Sequence, residues 1–299
     1  PCIGNNECHG FHGGRGSMVC TVNPAASREG ELAILAGRPA RRVLVAGAGP
    51  AGLETACSAA ARGHEVVLCE RGGLVGGQLR LLARDPDQPL LGSWLGWLER
   101  RLEASGVTSV ESLTSTPELA RELRPDVATI ATGSRPASPG IPGVEAAHVT
   151  TAEAVLEGTA RLGRRVVVVG GLEDHLRPLT IADLLARRGH SVRLVSELLN
   201  AGRGVEGRTL HQLLKRLLEQ GVEIITMTAV VEIAGSSLRT RSTITGLPGD
   251  GVEGAESVVL ATGGAAVDEL SRTLKGVVPE IHAIGDALAP RRLIHAVLD

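Results

Sequence analysis

The sequence is poor in aromatic side chains, with two Trp, one Phe and no Tyr among 299 residues. Proteins that bind single-stranded nucleic acid stack the bases on aromatic rings, so this function class is excluded. The formal net charge of -2 gives no basic surface for nucleic acid or for an anionic membrane. No apolar run approaches the roughly 18–20 residues that a membrane-spanning helix needs. The composition therefore predicts a soluble globular protein.

Signals for export and for a disulfide framework are also missing. The chain begins at Pro1 with neither Met nor a secretory leader. Its five cysteines are an odd number in a long chain, unlike the framework of a small secreted domain. Cys57 and Cys69 fall on a predicted helix and strand, where a small buried apolar side chain is the simplest interpretation. We expect a cytoplasmic fragment of a longer enzyme, because both ends of the chain interrupt recognisable segments.

A strand–helix–strand pattern occurs twice, with the copies about 120 residues apart. The predicted elements lie at 42–46, 50–62 and 65–70 in the first copy, and at 165–169, 179–188 and 191–196 in the second. Right-handed crossovers then place helices on the faces of parallel sheets. The pattern predicts an α/β fold with two Rossmann-like nucleotide-binding domains.

The predicted organisation has three parts. Residues 1–40 contain many turn formers and little apolar periodicity, which indicates a loop-rich arm. Residues 41–150 and 263–299 form the first, discontinuous nucleotide-binding domain. Residues 151–262 form the second.

A glycine-rich turn follows the first apolar strand and reads Gly47-Ala48-Gly49-Pro50-Ala51-Gly52. In such a turn the first glycine allows the tight bend, the second lets the backbone approach a pyrophosphate, and the third packs the helix against the strand. The free N–H groups of the helix N-terminus then face the phosphates. Glu70, 18 residues after Gly52, ends the next strand and can accept hydrogen bonds from a ribose. Arg71 is interpreted as a solvated neighbour of this dinucleotide or ADP site.

Three further motifs follow in order: Gly76-Gly77-Gln78-Leu79, Ala131-Thr132-Gly133-Ser134 and Ile284-Gly285-Asp286-Ala287. This order is similar to that of the flavin disulfide reductase class, which has two dinucleotide-binding domains. The resemblance implies that FAD, or at least its ADP part, is bound. Asp286 would lie near the flavin ribityl chain and pyrophosphate. The other implied contacts are Gly77, Gln78, Thr132, Gly133 and Gly285.

The arm reads Pro1-Cys2-Ile3-Gly4-Asn5-Asn6-Glu7-Cys8, with Cys20 and then Val22-Asn23-Pro24-Ala25 further on. It resembles the segment that joins barrel and nucleotide domains in the trimethylamine dehydrogenase / 2,4-dienoyl-CoA reductase family. The resemblance covers essentially the whole chain. It implies an upstream barrel that carries FMN and the substrate chemistry, and a [4Fe–4S] cluster. Cys2, Cys8 and Cys20 match three cluster ligands, but Asn5 stands where the second cysteine is expected.

The departure at Asn5 leaves several metal sites open. Thiolates are soft donors suited to iron–sulfur clusters, and an amide is a poor substitute. Three thiolates could hold a [3Fe–4S] cluster or a [4Fe–4S] cluster with one labile iron. Zinc is an alternative if His9 or His12 completes a tetrahedral site. An arm without metal is the fourth interpretation.

The second copy of the pattern lacks the glycine motif and reads Gly170-Gly171-Leu172-Glu173-Asp174-His175. Its acidic pair would repel phosphates at the following helix. We expect a mainly structural domain, with NAD(P)H binding as the alternative. His175 and His190 are interpreted as turn and surface residues.

These observations predict the electron-transfer module of a flavin-dependent oxidoreductase, either an amine-type dehydrogenase or an enoate or dienoyl reductase. No catalytic acid, base or nucleophile is assigned within the chain. The expected partners are the upstream barrel and an external electron carrier, with a homo-oligomer as a further candidate assembly. The alternative is a structural ADP-binding module without a redox role. A stand-alone enzyme of the thioredoxin reductase kind is not favoured, because no Cys-x-x-C occurs near the flavin motifs.

Overall fold

The computed structural model describes residues 2–10, 18–37, 39–171 and 176–299. The chain divides into two compact units. The first unit combines Pro1–Arg135 with Gly264–Asp299, and the second unit is Pro136–Gly263.

The first unit is built on a parallel five-stranded sheet with the strand order β14-β4-β1-β2-β3. Its strands are β1 (Arg42–Ala46), β2 (Glu65–Glu70), β3 (Thr108–Glu111), β4 (Val127–Ile130) and β14 (Glu280–Ala283). Its helices are α1 (Glu7–Gly10), α2 (Pro50–Ala61), α3 (Gln78–Leu82), α4 (Pro89–Glu103), α5 (Pro117–Leu123), α9 (Glu269–Thr273) and α10 (Leu293–Leu298). A 3-10 turn at Gly285–Ala287 follows β14. The chain thus returns to this sheet after completing the second unit.

Helices α2 and α4 cover one face of this sheet with a common apolar core. Leu53 and Trp94 are almost fully buried there, and Trp97 packs against the same cluster. The Arg101 guanidinium lies 5.3 Å from the centre of the Trp97 ring, a cation–π contact. Arg101 also pairs with Glu54 on α2, so a charged contact closes the edge of this core.

The two cysteines of the first unit outside the arm are structural. Cys57 lies on α2 and Cys69 on β2, and both are buried free thiols. Burial raises the pKa of each thiol, which keeps it protonated and unreactive. The prediction of small buried apolar side chains at these positions is confirmed.

The second unit repeats the parallel plan with the strand order β6-β12-β7-β8-β9. The strands are β6 (Val149–Thr151), β7 (Arg165–Gly170), β8 (Ser191–Ser196), β9 (Glu223–Ile225) and β12 (Ser257–Ala261). An antiparallel hairpin is formed by β10 (Thr228–Ala234) and β11 (Ser237–Ser242). The helices are α6 (Ala152–Glu157), α7 (Arg177–Arg187) and α8 (Gly207–Glu219). The short strands β5 (Ser134–Pro136) and β13 (Gly264–Ala266) form a separate two-stranded sheet.

A buried carboxylate joins α7 to α8 in the second unit. The Asp183 side chain is 4% exposed and accepts hydrogen bonds from Arg216 Nε at 2.7 Å and Arg216 Nη2 at 2.8 Å. Arg187 Nε and Gln220 Nε2 each donate to it at 3.2 Å. Burial alone would raise the pKa of Asp183. The hydrogen bonds and charges of Arg216 and then Arg187 outweigh burial and hold that pKa below its usual value.

Residues 136–150, which the sequence analysis assigns to the first domain, lie in the second compact unit. The Ile233 N–H on β10 donates to the Pro142 carbonyl oxygen at 2.8 Å. A Cβ on Gly143, which has φ +90°, would lie only 1.9 Å from the Ile233 carbonyl oxygen. The segment also leads into β6, which pairs with β12. These contacts hold it to strands far along the chain.

The predicted arm is not a separate body, since its described residues pack with the first unit. Ile3 is 8% exposed and lies in the core that Leu53 and Trp94 share. Glu7 accepts a hydrogen bond from Arg292 Nη1 at 2.9 Å, which ties the arm to the start of α10. Within the described residues, no helix is long and apolar enough to cross a membrane.

Candidate dinucleotide-binding site

The candidate site lies at the carboxyl ends of β1 and β4 in the first unit. The chain continues from β1 to β2 on one side, while β4 is the neighbour of β1 on the other. Parallel α/β sheets bind ligands in the crevice at such a reversal of strand order. The glycine-rich turn Gly47–Gly52 connects β1 to α2 at this place.

Two glycines of the turn allow the backbone to close. Gly47 has φ +104°, and a Cβ there would lie 2.4 Å from the carbonyl oxygen of Ala131 at the end of β4. A Cβ on Gly52 would lie 1.9 Å from the Gly47 carbonyl oxygen. Any other residue at either position would collide with backbone atoms. The turn therefore has the close backbone packing for which the motif requires glycine at Gly47 and Gly52.

Gly49 differs, because the space beside it is open. Its φ of -71° is accessible to any residue, and a Cβ there would meet no atom within 4 Å. It is the N-cap of α2, provides no side-chain cap, and is followed by Pro50 and a first turn without acidic residues. Ala48 and Ala51 on either side are buried. Open space beside an uncapped helix N-terminus fits a diphosphate.

The carboxylate of Glu70 faces this turn. Its Oε2 accepts a hydrogen bond from the Ala48 N–H at 2.8 Å, and its Oε1 accepts one from the Gly72 N–H at 2.7 Å. An ionised carboxylate has about four acceptor positions, so it can still accept from a ribose hydroxyl. Arg71 is exposed, in agreement with a solvated side chain.

The Gly76-Gly77 segment folds over the glycine turn. The Gly76 N–H donates to the Ala48 carbonyl oxygen at 2.7 Å. A Cβ on Gly77, which has φ +50°, would lie 3.1 Å from Gly49 Cα. This close approach narrows the crevice and places α3, which starts at Gln78, beside the turn.

Gln78, Ser134 and Asp286 form one hydrogen-bonded group beside the glycine turn. Gln78 Nε2 donates to Ser134 Oγ at 2.8 Å, and the Ser134 hydroxyl donates to Asp286 Oδ2 at 2.9 Å. Gln78 Nε2 is 3.5 Å from Asp286 Oδ2. The Arg291 N–H donates to Asp286 Oδ1 at 3.2 Å. We call Gln78, Ser134 and Asp286 the polar triad.

Two residues of the predicted strand-end motif have unexpected roles. The Thr132 hydroxyl donates to the Val267 carbonyl oxygen, so this side chain supports a neighbouring loop. Ser134, which sequence reasoning did not include among the site residues, is the central member of the polar triad. The sequence signal for Ser134 is its place at the end of the Ala131-Thr132-Gly133-Ser134 motif.

The cysteines of the arm do not form a metal site in the described residues. Cys2 is exposed, Cys8 and Cys20 are half-buried, and all three are free thiols. In the ranges that the structure describes, no three His, Cys, Asp or Glu side chains are placed to hold a metal ion. His9 is exposed, and His12 lies outside the described residues. Iron–sulfur ligation by Cys2, Cys8 and Cys20 therefore stays a prediction, and we derive no electron-transfer step through a cluster.

Asn5, at the position of the expected second cysteine, is engaged elsewhere. Its Nδ2 donates to Thr21 Oγ1 at 2.8 Å, and the Thr21 hydroxyl is 3.3 Å from Asn5 Oδ1. Thr21 is 2% exposed. The amide and the hydroxyl thus join two parts of the arm.

Replacing Asn5 by Ala is expected to lower the free energy of unfolding by about 1–2 kcal/mol, because the buried Thr21 hydroxyl loses its partner. Urea denaturation of the metal-free protein measures this loss. Asn200→Ala, at an exposed position, is the control and should leave the unfolding free energy unchanged within about 0.5 kcal/mol. Equal stabilities of the two variants would contradict a structural role for Asn5.

The corresponding turn of the second unit is only partly described, since Leu172-Glu173-Asp174-His175 lies outside the described residues. A Cβ on Gly170 would lie 2.9 Å from Pro178 Cγ, so this glycine packs the strand against α7.

His190 is half-buried, with Nδ1 2.8 Å from the Gly163 carbonyl oxygen, and is not a plain surface residue. Burial raises the pKa of Glu197, the residue after β8, and the charge of Arg241 partly offsets this.

A family model described as pyridine nucleotide-disulphide oxidoreductase matches residues 41–298. The chain belongs to this family. The match and the two parallel sheets confirm the α/β fold of flavin disulfide reductase type. The family is one of oxidoreductases, which confirms the predicted enzyme class for this module.

Individual relatives extend the family match. An NADH oxidase from Thermoanaerobacter brockii is 33% identical over 292 residues, covering 94% of this chain and 43% of the relative. An N,N-dimethylglycine/sarcosine dehydrogenase from Chromohalobacter salexigens is 30% identical over 232 residues, covering 74% of this chain and 33% of the relative. The solved 2-naphthoyl-CoA reductase complex has a TM-score of 0.85 and 28% identity, covering 94% of this chain and 42% of that chain.

These relatives confirm the resemblance to the trimethylamine dehydrogenase / 2,4-dienoyl-CoA reductase family that the sequence motifs indicate. The chain spans less than half of the length of each. It is a flavin-dependent oxidoreductase module that corresponds to one part of these longer relatives.

Proposed function

We propose that the first unit binds FAD and serves as the electron-transfer module of a flavin-dependent oxidoreductase. The observation that carries this proposal is the pairing of an open, uncapped helix N-terminus at Gly49 with the Glu70 carboxylate held against the same turn. The first feature suits a diphosphate and the second a ribose. Together they match the adenosine diphosphate half of FAD.

Each part of the site would have a defined task toward FAD. Gly49 and the first turn of α2 would receive the diphosphate, Glu70 would accept from the ribose, and Asp286 would accept from the ribityl chain. Bound FAD would supply reversible two-electron chemistry. The protein residues bind and orient the cofactor, and the Gly76-Gly77 segment restricts the crevice around it.

The direction of electron flow through this module would depend on its redox partners. Relatives named as a dehydrogenase, an oxidase and a reductase all share this module. We propose that electrons pass between this module and an FMN-carrying barrel, with NAD(P)H or an external carrier as the other partner. FMN in a barrel, iron–sulfur ligation by Cys2, Cys8 and Cys20, and a cytoplasmic location stay predictions from the resemblance and the composition.

A structural ADP-binding role is the second candidate. It is favoured by one observation, that the three side chains of the polar triad form hydrogen bonds with one another. ADP would occupy the Gly49–Glu70 end of the crevice and leave the triad undisturbed. Mass spectrometry of the nucleotide released from the purified protein separates the candidates. Recovery of FAD supports the redox module, and recovery of ADP alone supports the structural role.

Replacing Glu70 by Gln is expected to raise the dissociation constant for the bound nucleotide about tenfold, because a charged acceptor of the ribose is lost. Isothermal titration calorimetry measures this change. Glu65→Gln, on an exposed residue at the start of the same strand, is the matched control. Unchanged affinity in Glu70→Gln would refute the placement of the ribose beside Glu70.

A further inference from the structure

The polar triad is built by three segments that use the same local device. Gln78, Ser134 and Asp286 each directly follow a glycine with positive φ, at +50°, +76° and +56° respectively. At each position the glycine bends the backbone sharply, and the side chain of the next residue joins the hydrogen bonds of the polar triad. The segments are far apart in sequence, with 152 positions between Ser134 and Asp286.

The hydrogen-bond directions within the triad are fixed by chemistry. The amide nitrogen of Gln78 can only donate, so Ser134 Oγ accepts at 2.8 Å. The single hydroxyl proton of Ser134 is then available for Asp286 Oδ2 at 2.9 Å. The Arg291 N–H holds the other carboxylate oxygen at 3.2 Å. The hydrogen bond from the Ser134 hydroxyl is therefore the short contact that fixes the rotation of the Asp286 carboxyl group.

A carboxylate held in this way selects its ligand by charge. It can accept hydrogen bonds but cannot donate them, and it repels a phosphate. A polyol hydroxyl donates to it. FAD carries a polyol between its diphosphate and its ring system, whereas ADP has none. The triad can therefore distinguish two ligands that share the same adenosine diphosphate half.

We propose that Ser134 is a positioning residue that orients the Asp286 carboxylate toward the flavin polyol and so sets a preference of the site for FAD over ADP. The inference rests on the proposed nucleotide site. Without the Ser134 hydroxyl, the nearest side-chain donor to Asp286 Oδ2 in the triad is Gln78 Nε2 at 3.5 Å. That distance is too long for a strong hydrogen bond.

The test compares dissociation constants for FAD and for ADP on nucleotide-free protein. Ser134→Ala is expected to raise the constant for FAD about tenfold and that for ADP less than about twofold. Ser138→Ala, on an exposed serine nearby in sequence, is the control and should change neither. Unfolding of the unliganded variants shows whether the protein remains folded.

A double substitution separates positioning from a general structural effect. Asp286→Asn should also lower the preference for FAD, and adding Ser134→Ala to it should change the constant for FAD by less than about twofold, since both act through one contact. Equal losses for FAD and ADP in Ser134→Ala, full additivity, or no change would overturn the proposal. Wild-type protein that binds ADP and FAD equally would overturn this inference alone. Wild-type protein that binds neither would refute the nucleotide site itself.

Discussion

Replacing Gly49 by Ala is expected to raise the dissociation constant for the nucleotide about a hundredfold, through loss of two charge-assisted hydrogen bonds. The methyl group would occupy the open space beside the turn, where the proposed diphosphate approaches the backbone. Folding should hardly change, since φ of -71° suits Ala and the Cβ meets no atom within 4 Å. The unfolding free energy should fall by no more than about 1 kcal/mol, the usual difference between Gly and Ala at an N-cap.

Two other glycines provide the controls for this experiment. Gly92→Ala, at an exposed and open position in α4, should leave affinity unchanged and stabilise the helix by about 0.5–1 kcal/mol. Gly52→Ala should instead destabilise the protein by about 3 kcal/mol, because its Cβ overlaps the Gly47 carbonyl oxygen. Titration calorimetry and urea denaturation give both quantities. Wild-type affinity in Gly49→Ala would mean that the diphosphate does not approach this turn.

Replacing Asp183 by Ala is expected to lower the unfolding free energy of the second unit by about 3 kcal/mol, because two arginines lose a buried partner. The Arg216 and Arg187 side chains are 48% and 23% exposed. We therefore expect a loss of unfolding free energy at the lower end of the range for breaking a buried ion pair. Asp268→Ala removes an exposed i,i+4 pair with Arg272 and should cost less than about 1 kcal/mol. Similar losses for the two variants would contradict a stabilising role for the α7–α8 connection.

The Asp183 contribution should also depend on pH. The pKa of Asp183 is lower in the folded protein than in the unfolded chain, so its stabilisation is complete above the unfolded pKa of about 3.9. The stabilisation is lost as the pH falls through the folded pKa. The stability difference between wild type and Asp183→Ala should therefore shrink below about pH 4. Urea denaturation at neutral and acidic pH measures this, and a pH-independent difference would contradict it.

Buried apolar strands are the elements that the sequence predicts best. β1, β2 and β8 begin and end at the predicted residues. Each is a nearly continuous run of apolar or β-branched residues bounded by turn formers or charges, as buried parallel strands require. The ends of helices α2 and α7 lie within two residues of the predicted positions. Short elements such as α5, α6 and β6 were missed, because three to seven residues carry no readable periodicity.

The site was predictable only where a motif is local. The turn at Gly47–Gly52 and the acid at Glu70 lie within one strand–helix–strand unit, so spacing alone locates them. Ser134 acquires its role from Gln78 and Asp286, which lie at distant positions of the chain. Asn5 is similar, since its contact with Thr21 crosses 16 positions. A single sequence contains no signal for such pairs.

The return of the chain to the first sheet constrains how the protein can fold during synthesis. β14, the 3-10 turn with Asp286, and α10 leave the ribosome only after the whole second unit has been made. The first sheet must therefore wait with the edge of β4 unpaired while the second unit, which is continuous in sequence, can already fold. Contacts of such long sequence separation form slowly. Nascent chains should accordingly gain protease resistance in residues 136–263 before the nucleotide crevice closes.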